Sequence, residues 1–543
     1  MGVKKMDSLK IDNEGQDYLF EDMRVEKEPD DCGIVIKNTD GMGAPEPGNN
    51  IYATRRNVAA AFLGEHSSLV SVVLVGYNNL EEYTKTCVEC VIKYTKDIDY
   101  ELILVDNGSS DGTFEYFKSV RHPRKKIVRV TKNIGAFYGS SAGMALAAGA
   151  YVAGVCNDVY VTKNWLSNML KCALSDERIG MIGPMSNNVS NLQDANMSFT
   201  DFNDMQEKAG QFNVSDPGKW HERLRLTSPL VLFKKECIDM AGTFDYGFFH
   251  DFADDDITFR VRRAGYKAIL CKDVFVYHAG HSVSQTAEQY RESLEKGRIA
   301  FRNKYFGVDA WDDVNNYELA MMSLINPEER RGSGKIDVLG VDVLCGTPIL
   351  ELKNKLRDAG IFDVCLWAFT NQAKYWQDLN TICAGKVAVD RQEYLLKYFA
   401  GDKFDYIVLG GPINGYGEPY RFLEDLLKLL KSGGHLLVKL RNTYDAKALL
   451  EMAGRHIAGE QKTFAQISLE TFLSYLNEKG VAFGKIMVEL HRTDENSKNY
   501  IKQLVGQLGI SNPDNIFNRI MINDYVLDIF PRANPGSLNN YEV

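Results

Sequence analysis

From residue 69 onward, apolar runs of strand length alternate with segments that have the spacing of amphipathic helices. The run "LVSVVLVGYNN" (69–79) is followed by the helical pattern "LEEYTKTCVECVIKYT" (80–95) and by a second apolar run, "YELILVDNGSSDGT" (100–113). The alternation continues through the small-residue helix "GSSAGMALAAGAY" (139–151) to the apolar run "VAGVCNDVYV" (152–161). Such a succession is typical of a parallel sheet with helices packed on it, so we predict an α/β fold.

The chain also contains a second region of alternation. A length of 543 residues exceeds what one ordinary core accommodates, and strand-like runs such as "KIDVLGVDVL", "FDYIVLGG" and "GGHLLVKLRN" return after residue 334. Charge, proline and glycine cluster between the two regions, which is typical of a linker. We predict an N-terminal extension with little core of its own, two α/β domains joined by a linker, and helical additions at the C-terminal end, with the boundaries 1–66, 67–325, 326–334 and 335–543.

Charge and hydropathy argue against several classes of protein. The 63 basic and 73 acidic residues give a net charge of −10, which disfavours a general nucleic-acid binder. No segment approaches the ~20 consecutive apolar residues of a membrane span, and "MGVKKMDSLKIDNEGQDYLF" lacks the apolar core of a signal peptide. We expect a cytoplasmic protein with no transmembrane segment. This expectation leaves peripheral membrane association and the oligomeric state open.

Polar residues close four of the apolar runs in the first domain. An aspartate after a strand is often only a turn or cap residue, so none of these positions is informative alone. In an open parallel sheet, however, ligands bind in the crevice beyond the carboxyl ends of the strands. The coincidence at four strand ends therefore predicts a ligand site. The residues are Tyr77 and Asn78, Asp106 and Asn107, Asn133, and Asp158.

These positions resemble the motifs of the family-2 nucleotide-sugar glycosyltransferases, which have the GT-A fold. The resemblance covers about residues 69–306. In that family the first strand ends in Tyr-Asn, the second in Asp-x-x-Ser-x-Asp-x-Thr, the third in Asn-x-Gly and the next in a D-x-D-type metal motif. The resemblance implies that a nucleoside-diphosphate sugar contacts the matching residues, with Asp106 against the uracil or ribose. The matching residues are Tyr77, Asn78, Asp106 with Ser109, Asp111 and Thr113, Asn133 with Gly135, and Asn157.

The resemblance also implies a divalent cation, Mn²⁺ or Mg²⁺, held by Asp158. Such a cation can bridge the diphosphate oxygens and stabilise departure of the leaving group. Cys156 stands at the first position of the motif, where many relatives carry Asp or Asn, so one carboxylate of the motif is left for the metal. The segment "CKDVFVYHAGHSVS" (271–284) is similar to the family's late histidine segment. In it, His278 matches the position that can complete the metal site or contact the diphosphate, and His281 is a weaker candidate.

The acceptor side is expected in "FDYGFFHDFADDDITFRVRRAGYKAILC" (244–271), which is similar to a family segment that ends in a helix. In the matching register Asp254 takes the catalytic position, and Ala253 replaces the usual Glu. Asp256 and Arg260 match the family's second acid and arginine, and we group both with the donor-binding residues. Acids at a helix start are also favourable as caps, but three in succession exceed what a cap requires. An inverting transfer needs one carboxylate to accept the acceptor's proton, and nearby carboxylates would raise its pKa.

The second domain resembles the class I methyltransferases over about residues 335–450. "VLGVDVLCGTPILELKNKL" is similar to their first glycine loop, and "KFDYIVLGGPINGYGEPYRFLEDLLKLLKSGGHLLVKLRN" to their central strand and the helix and strand that follow. That loop uses glycines so that the backbone can approach the cofactor. Here Leu344 and Pro348 replace two of them, and only Gly346 is kept. We expect a domain that does not bind S-adenosylmethionine and that serves acceptor recognition or assembly.

Together these patterns predict a metal-dependent inverting glycosyltransferase. The expected donor is a UDP-sugar, and the expected acceptor is a hydroxyl of a surface glycan or of a protein such as flagellin. The lack of membrane spans and of the Gln-x-x-Arg-Trp signature argues against a processive polysaccharide synthase. Two alternatives stay open: a bifunctional glycosyltransferase and methyltransferase, and a sugar-binding scaffold without catalysis.

Overall fold

The computed structural model describes residues 24–27, 34–38, 67–280, 286–446, 464–491, 493–507, 509 and 512–531. The chain divides into two units, Met1–Asn315 and Asn316–Val543. This division lies ahead of the predicted linker, 326–334. Within that segment Pro327–Arg330 form a 3₁₀ turn, and the Arg330 guanidinium lies 5.2 Å from the centre of the Tyr406 ring. Arg330 of this segment thus contacts the second unit, to which the whole segment belongs.

A ten-stranded mixed sheet forms the centre of the first unit, in the order β1-β2-β5-β4-β3-β6-β10-β8-β11-β9. The strands from β2 to β6 run parallel, and β10 is antiparallel to both β6 and β8. The parallel part was predicted, whereas the antiparallel strands were not. The bounds are β1 (Arg24–Lys27), β2 (Ile34–Asn38), β3 (Ser67–Gly76), β4 (Tyr100–Asn107), β5 (Lys125–Val130), β6 (Gly149–Cys156), β7 (Val159–Tyr160), β8 (Ile179–Met185), β9 (Trp220–Glu222), β10 (Leu230–Lys234), β11 (Lys267–Phe275) and β12 (Tyr277–His278).

The central strands are buried because helices cover the sheet. All eight residues of β4 are buried, as expected for a parallel strand covered on both faces. Trp165 is fully buried in the same core, and its indole N–H donates to Thr95 Oγ1 at 3.1 Å. The α-helices are Lys85–Tyr94, Thr113–Ser119, Ala136–Met144, Trp165–Leu174, Phe202–Phe212, Lys235–Ala241, Ala253–Arg263 and Ala287–Lys304, with a π-helical turn at Leu80–Thr84 and a 3₁₀ turn at Pro217–Lys219.

The small residues between Gly139 and Tyr151 serve two elements rather than the one predicted helix. The helix ends at Met144, and β6 begins at Gly149. A Cβ on Gly149 would lie 2.4 Å from the Leu69 carbonyl oxygen, so only glycine allows β6 to start beside β3. This close approach decides where the helix gives way to the strand.

Two strands of the predicted N-terminal extension continue the sheet of the first unit. β2 pairs in parallel with β5, and β1 pairs antiparallel with β2. The rest of residues 1–66 lies outside the described residues. Part of this extension is therefore a sheet edge of the first unit.

The second unit is built on a seven-stranded sheet in the order β15-β14-β13-β16-β17-β19-β18. In this sheet β19 runs in the direction opposite to that of the other strands. No helix in the described parts of either unit is long and apolar enough to cross a membrane. The strands are β13 (Ile336–Val341), β14 (Val364–Thr370), β15 (Val387–Val389), β16 (Phe404–Pro412), β17 (Leu430–Arg441), β18 (Val481–Leu490) and β19 (Ile522–Pro531). The α-helices are Leu319–Ser323, Thr347–Asp358, Trp376–Ile382, Leu395–Phe399, Pro419–Lys428, Leu469–Glu478, Glu495–Gln507 and Pro513–Ile520, and 3₁₀ turns lie at Pro327–Arg330, Ala373–Tyr375, Gln392–Tyr394 and Ile413–Gly415.

Candidate active site

The carboxyl ends of β3, β4 and β6 border a cavity of about 1110 Å³ in the first unit. Parallel neighbours end at the same edge of a sheet, which is where such a crevice is expected. The structure brings eight of the predicted site residues to this cavity and leaves four away from its lining. The eight are Tyr77, Asn78, Asn133, Gly135, Asn157, Asp158, Asp254 and His278, and the four are Asp106, Asp111, Asp256 and Arg260.

Hydrogen bonds link the loops after β3 and β4, and the side chains that accept them were predicted to bind the donor sugar nucleotide. Asn78 Oδ1 accepts from the Ser110 N–H at 3.0 Å, and Asp111 Oδ2 accepts from the Leu80 N–H at 2.8 Å. Asn78 and Asn79 both adopt left-handed backbone angles, φ +53° and +56°, which asparagine tolerates better than most residues. Asp111 therefore holds the wall of the cavity in shape from outside it.

Asp106 lies beneath the cavity floor rather than in its lining. The residue is fully buried. Burial raises the pKa of its carboxyl, and the hydrogen bonds from Ser109 and the charge of Arg129 oppose that shift. Arg129 Nε is 3.7 Å from Asp106 Oδ2. A buried carboxylate in these contacts supports the β4 loop from within.

Asn107, the next residue, connects the β4 end to the following loop. Its Nδ2 donates to Asn133 Oδ1 at 3.0 Å and to the Gly135 carbonyl oxygen at 3.1 Å. Gly135 has φ +89°, and a Cβ there would lie 2.1 Å from the Phe249 carbonyl oxygen. Glycine is thus required at this position, because the turn that leads to Asp254 passes directly against it.

Asp158 and His278 face each other across a small antiparallel ladder. β7 pairs with β12, with His278 opposite Val159, and His278 Nε2 lies 3.2 Å from Asp158 Oδ2. His278 Nδ1 lies 3.2 Å from the Asn188 carbonyl oxygen. A carbonyl can only accept, so Nδ1 carries a proton and Nε2 is directed at Asp158. Burial opposes protonation of His278, but the hydrogen bond and charge of Asp158 raise its pKa overall. His281 lies outside the described residues.

This pair has the chemistry of a two-ligand cation site. Two ligands about 2.1 Å from an octahedral ion stand about 3 Å apart, close to the 3.2 Å between the carboxylate oxygen and the imidazole nitrogen. Within the described residues, no group of three or more His, Cys, Asp or Glu side chains could hold a metal ion. Asp158 and His278 are two side chains that could hold such an ion, with substrate oxygens or water as its remaining ligands.

The helix Ala253–Arg263 brings Asp254 to the lining of the same cavity. Phe252, just before it, has φ +67°, a strained angle for a bulky residue. Its ring packs against Trp311 at 5.1 Å between centres, which holds the helix start in place. Asp254 is half-buried, and its Oδ1 accepts from the Asp255 N–H at 3.1 Å. Burial raises the pKa of Asp254, and the nearby Arg225 charge opposes this shift.

Asp256 and Arg260 lie inside the first unit and not in the lining of the cavity. Arg260 Nε is 2.9 Å from Asp256 Oδ2, while Lys304 Nζ and the Tyr305 hydroxyl are each 2.6 Å from Asp256 Oδ1. Burial would raise the pKa of Asp256, yet the charges of Arg260 and Lys304 hold it below its ordinary value. These contacts fasten the Asp254 helix to the helix Ala287–Lys304.

Several cavity residues were missed in the sequence, above all Asp255 and Arg225. Both line the cavity, and Arg225 Nε lies 2.5 Å from Asp255 Oδ1. Asp255 is the middle one of three successive acids, so the acid itself was a usable signal. Arg225 lies in a loop without a motif, and only the tertiary path of the chain brings it here. The cavity also contains His250, Asp251, Asn188, Ser190, Asn191 and Thr227.

Residues 71–219 match a protein-family model described as Glycosyl transferase family 2. This match supports a family-2 glycosyltransferase and includes β3 to β8 with Asp158. No curated protein sequence matches the chain.

Solved structures of glycosyltransferases are also similar to this chain. They include GalNAc-T7 with UDP, GalNAc and Mn²⁺, at 15% identity, TM-score 0.35, and coverage of 55% of this chain and 64% of that one. For the mannosyltransferase PcManGT from Pyrobaculum calidifontis, in complex with GDP-Man and Mn²⁺, the identity is 17% and the TM-score 0.32, with coverage of 57% of this chain and 81% of that one. For S. aureus TarS 1–349 in complex with UDP, the identity is 15% and the TM-score 0.31, with coverage of 54% of this chain and 89% of that one. The chain thus spans just under two thirds of the first of these proteins.

We predict that Asp158→Asn lowers the pKa of His278 in the metal-free protein. The substitution removes the negative charge that raises this pKa, and burial, which lowers it, remains. NMR titration of histidine-labelled protein measures the change. His122, whose pKa is lowered by burial and which lies outside the cavity lining, should titrate as before. An unchanged His278 titration would contradict the Asp158–His278 contact.

Proposed function

We propose that the first unit is an inverting glycosyltransferase that moves a sugar from a nucleoside-diphosphate sugar, with UDP-sugar as the expected donor, to an acceptor hydroxyl. One observation carries the proposal. A single cavity is lined by a carboxylate–imidazole pair, Asp158 and His278, and by Asp254, a carboxylate whose pKa burial raises. The Asp158–His278 pair suits a diphosphate with its cation, and Asp254 suits a general base. The family-2 match over residues 71–219 supports the same class of reaction.

On the donor side, Asp158 and His278 would hold the divalent cation. The imidazole nitrogen favours Mn²⁺ over Mg²⁺, which takes mainly oxygen ligands. When bound, the cation would neutralise negative charge on the leaving diphosphate. Asn157 positions the turn that carries Asp158, because its Nδ2 donates to Thr84 Oγ1 at 2.8 Å and to the Asn78 carbonyl oxygen at 3.2 Å. This turn is therefore fixed to the loop after β3.

On the acceptor side, Asp254 would take the proton of the acceptor hydroxyl. As the proton leaves, the acceptor oxygen forms a bond to the anomeric carbon, and the bond from that carbon to the diphosphate oxygen breaks. Attack opposite the leaving group inverts the anomeric configuration. A raised pKa makes Asp254 a better proton acceptor than an exposed aspartate. The acceptor would be a glycan or protein hydroxyl, as the sequence resemblance implies.

The test of this function is the conservative variant Asp254→Asn. It keeps the size of the side chain and removes the base, so kcat should fall by about 10²–10⁴-fold. Nucleotide affinity should stay near that of the wild type. Turnover of a donor first selected from a nucleotide-sugar panel by thermal shift provides the measurement, since a ligand of the native state raises Tm.

A matched control is Asp201→Asn. Asp201 also begins a helix, and its side chain accepts from the Asn203 and Asp204 N–H groups. It lies outside the cavity lining, and asparagine caps a helix as well as aspartate does, so activity and Tm should not change. Full activity of Asp254→Asn would reject Asp254 as the base. Donor binding without turnover in the wild-type protein would favour the sugar-binding scaffold.

For the second unit we propose a domain without methyl transfer, used for acceptor recognition or assembly. The strand order in this sheet reverses between β13 and β16. In an open α/β sheet a cofactor would bind at such a point. At that point the Tyr416 hydroxyl lies 3.2 Å from Asp342 Oδ2, and Leu344 adopts φ +55° where a glycine is usual in the resembling family. Calorimetric titration with S-adenosylmethionine should give no binding heat. Saturable binding would favour the bifunctional alternative.

A further inference from the structure

Arg225 lies beside two successive carboxylates on the cavity wall. It is 7% exposed, and Asp255 is 2% exposed. Its Nε lies 2.5 Å from Asp255 Oδ1, and its Nη1 donates to Asn315 Oδ1 at 3.2 Å. Its carbonyl oxygen accepts from Asn191 Nδ2 at 2.7 Å. The guanidinium is thus fixed by one anionic and one neutral partner, and its backbone by a third contact.

The same helix carries a second buried pair that provides a comparison. Asp256 and Arg260 are equally buried, but they lie away from the cavity lining and contact the helix Ala287–Lys304. That pair already fastens the helix to the core. Arg225 and Asp255 line the cavity next to Asp254. A purely structural ion pair has no need to face the cavity, and burying one there is costly unless both charges are used.

Charged and titratable groups approach Asp254 from four elements. They are Asp255 on its own helix, Arg225 on the loop between β9 and β10, His250 on the preceding turn, and Cys156 at the end of β6. Arg225 is the largest influence that opposes the effect of burial on the pKa of Asp254. Burial raises the pKa of Asp255 to about 7, with Arg225 opposing and Asp254 reinforcing the shift. The two neighbouring carboxyls therefore compete for one positive charge.

We propose that Arg225 is a positioning residue that keeps the Asp254 carboxylate ionised for its role as base, and that Asp255 anchors Arg225 while moderating its effect. This inference rests on the proposed function of Asp254. Without Arg225, the effect of burial on the pKa of Asp254 would lose the charge that most opposes it. Without Asp255, the full positive charge would act on Asp254.

The test compares the pH dependence of kcat/KM in two variants that break the same ion pair. Arg225→Gln removes the positive charge, so the acid limb should move to higher pH by about 1 unit or more. Asp255→Asn removes the anionic partner of Arg225 but leaves Arg225 held by Asn315, so the acid limb should not move to higher pH. Arg225→Lys keeps the charge and should restore most of the wild-type profile.

The decisive feature is that the acid limb moves to higher pH in Arg225→Gln and not in Asp255→Asn, because a purely structural pair predicts similar losses of Tm and activity in both variants with no such difference. Acid limbs that move together, or that do not move, would overturn the proposal. If Asp254→Asn keeps full activity, the assignment of the base fails first. If Asp254→Asn is inactive and the limbs move together, only the role of Arg225 fails. As a control, Lys267→Gln removes a charge from the Lys267–Asp176 pair (2.6 Å), outside the cavity lining, and should leave the acid limb unchanged.

Discussion

A backbone ladder only two residues long holds together the part of the cavity on which the rest depends. In it, Tyr277 pairs with Tyr160 and His278 with Val159, and the Ala279 N–H donates to the Asp158 carbonyl oxygen at 3.0 Å. Main-chain hydrogen bonds therefore set the distance between Asp158 and His278, which are far apart in the sequence. Under the proposed function, side chains held this way would need little rearrangement to bind a cation and a diphosphate, and such preorganisation is a large part of electrostatic catalysis.

The helix Ala253–Arg263 divides its acids between two tasks. Asp256 is surrounded by cations and hydroxyl groups and fixes the helix in the interior. Asp254 faces the cavity with a raised pKa, and in our proposal Arg225 limits that shift so that the base stays ionised. Three consecutive aspartates thus have three environments, because successive residues of a helix point in different directions.

Much of the fold and part of the site follow from local sequence. Apolar runs and helical spacing locate the parallel strands, and the polar residues at their ends indicate where the cavity lies, as Asp158 and Asn133 illustrate. The antiparallel strand β10 was not predicted, because strand direction depends on how the chain returns to the sheet. Asp106 and Asp111 match a motif, yet loop packing turns one beneath the cavity and uses the other as a tie between loops. Arg225 could not be predicted, since its partners Asp255 and Asn315 are distant in sequence.

The most direct measurement is the position of the metal in crystals grown with UDP and Mn²⁺. Anomalous diffraction at the manganese edge locates the ion independently of any assumption about its ligands. We predict one peak within about 2.5 Å of both Asp158 Oδ2 and His278 Nε2, with the diphosphate oxygens on its other side and Asp254 across the cavity. UDP bound in this cavity with no manganese peak between Asp158 and His278, or UDP bound elsewhere, would contradict the assignment of the donor site.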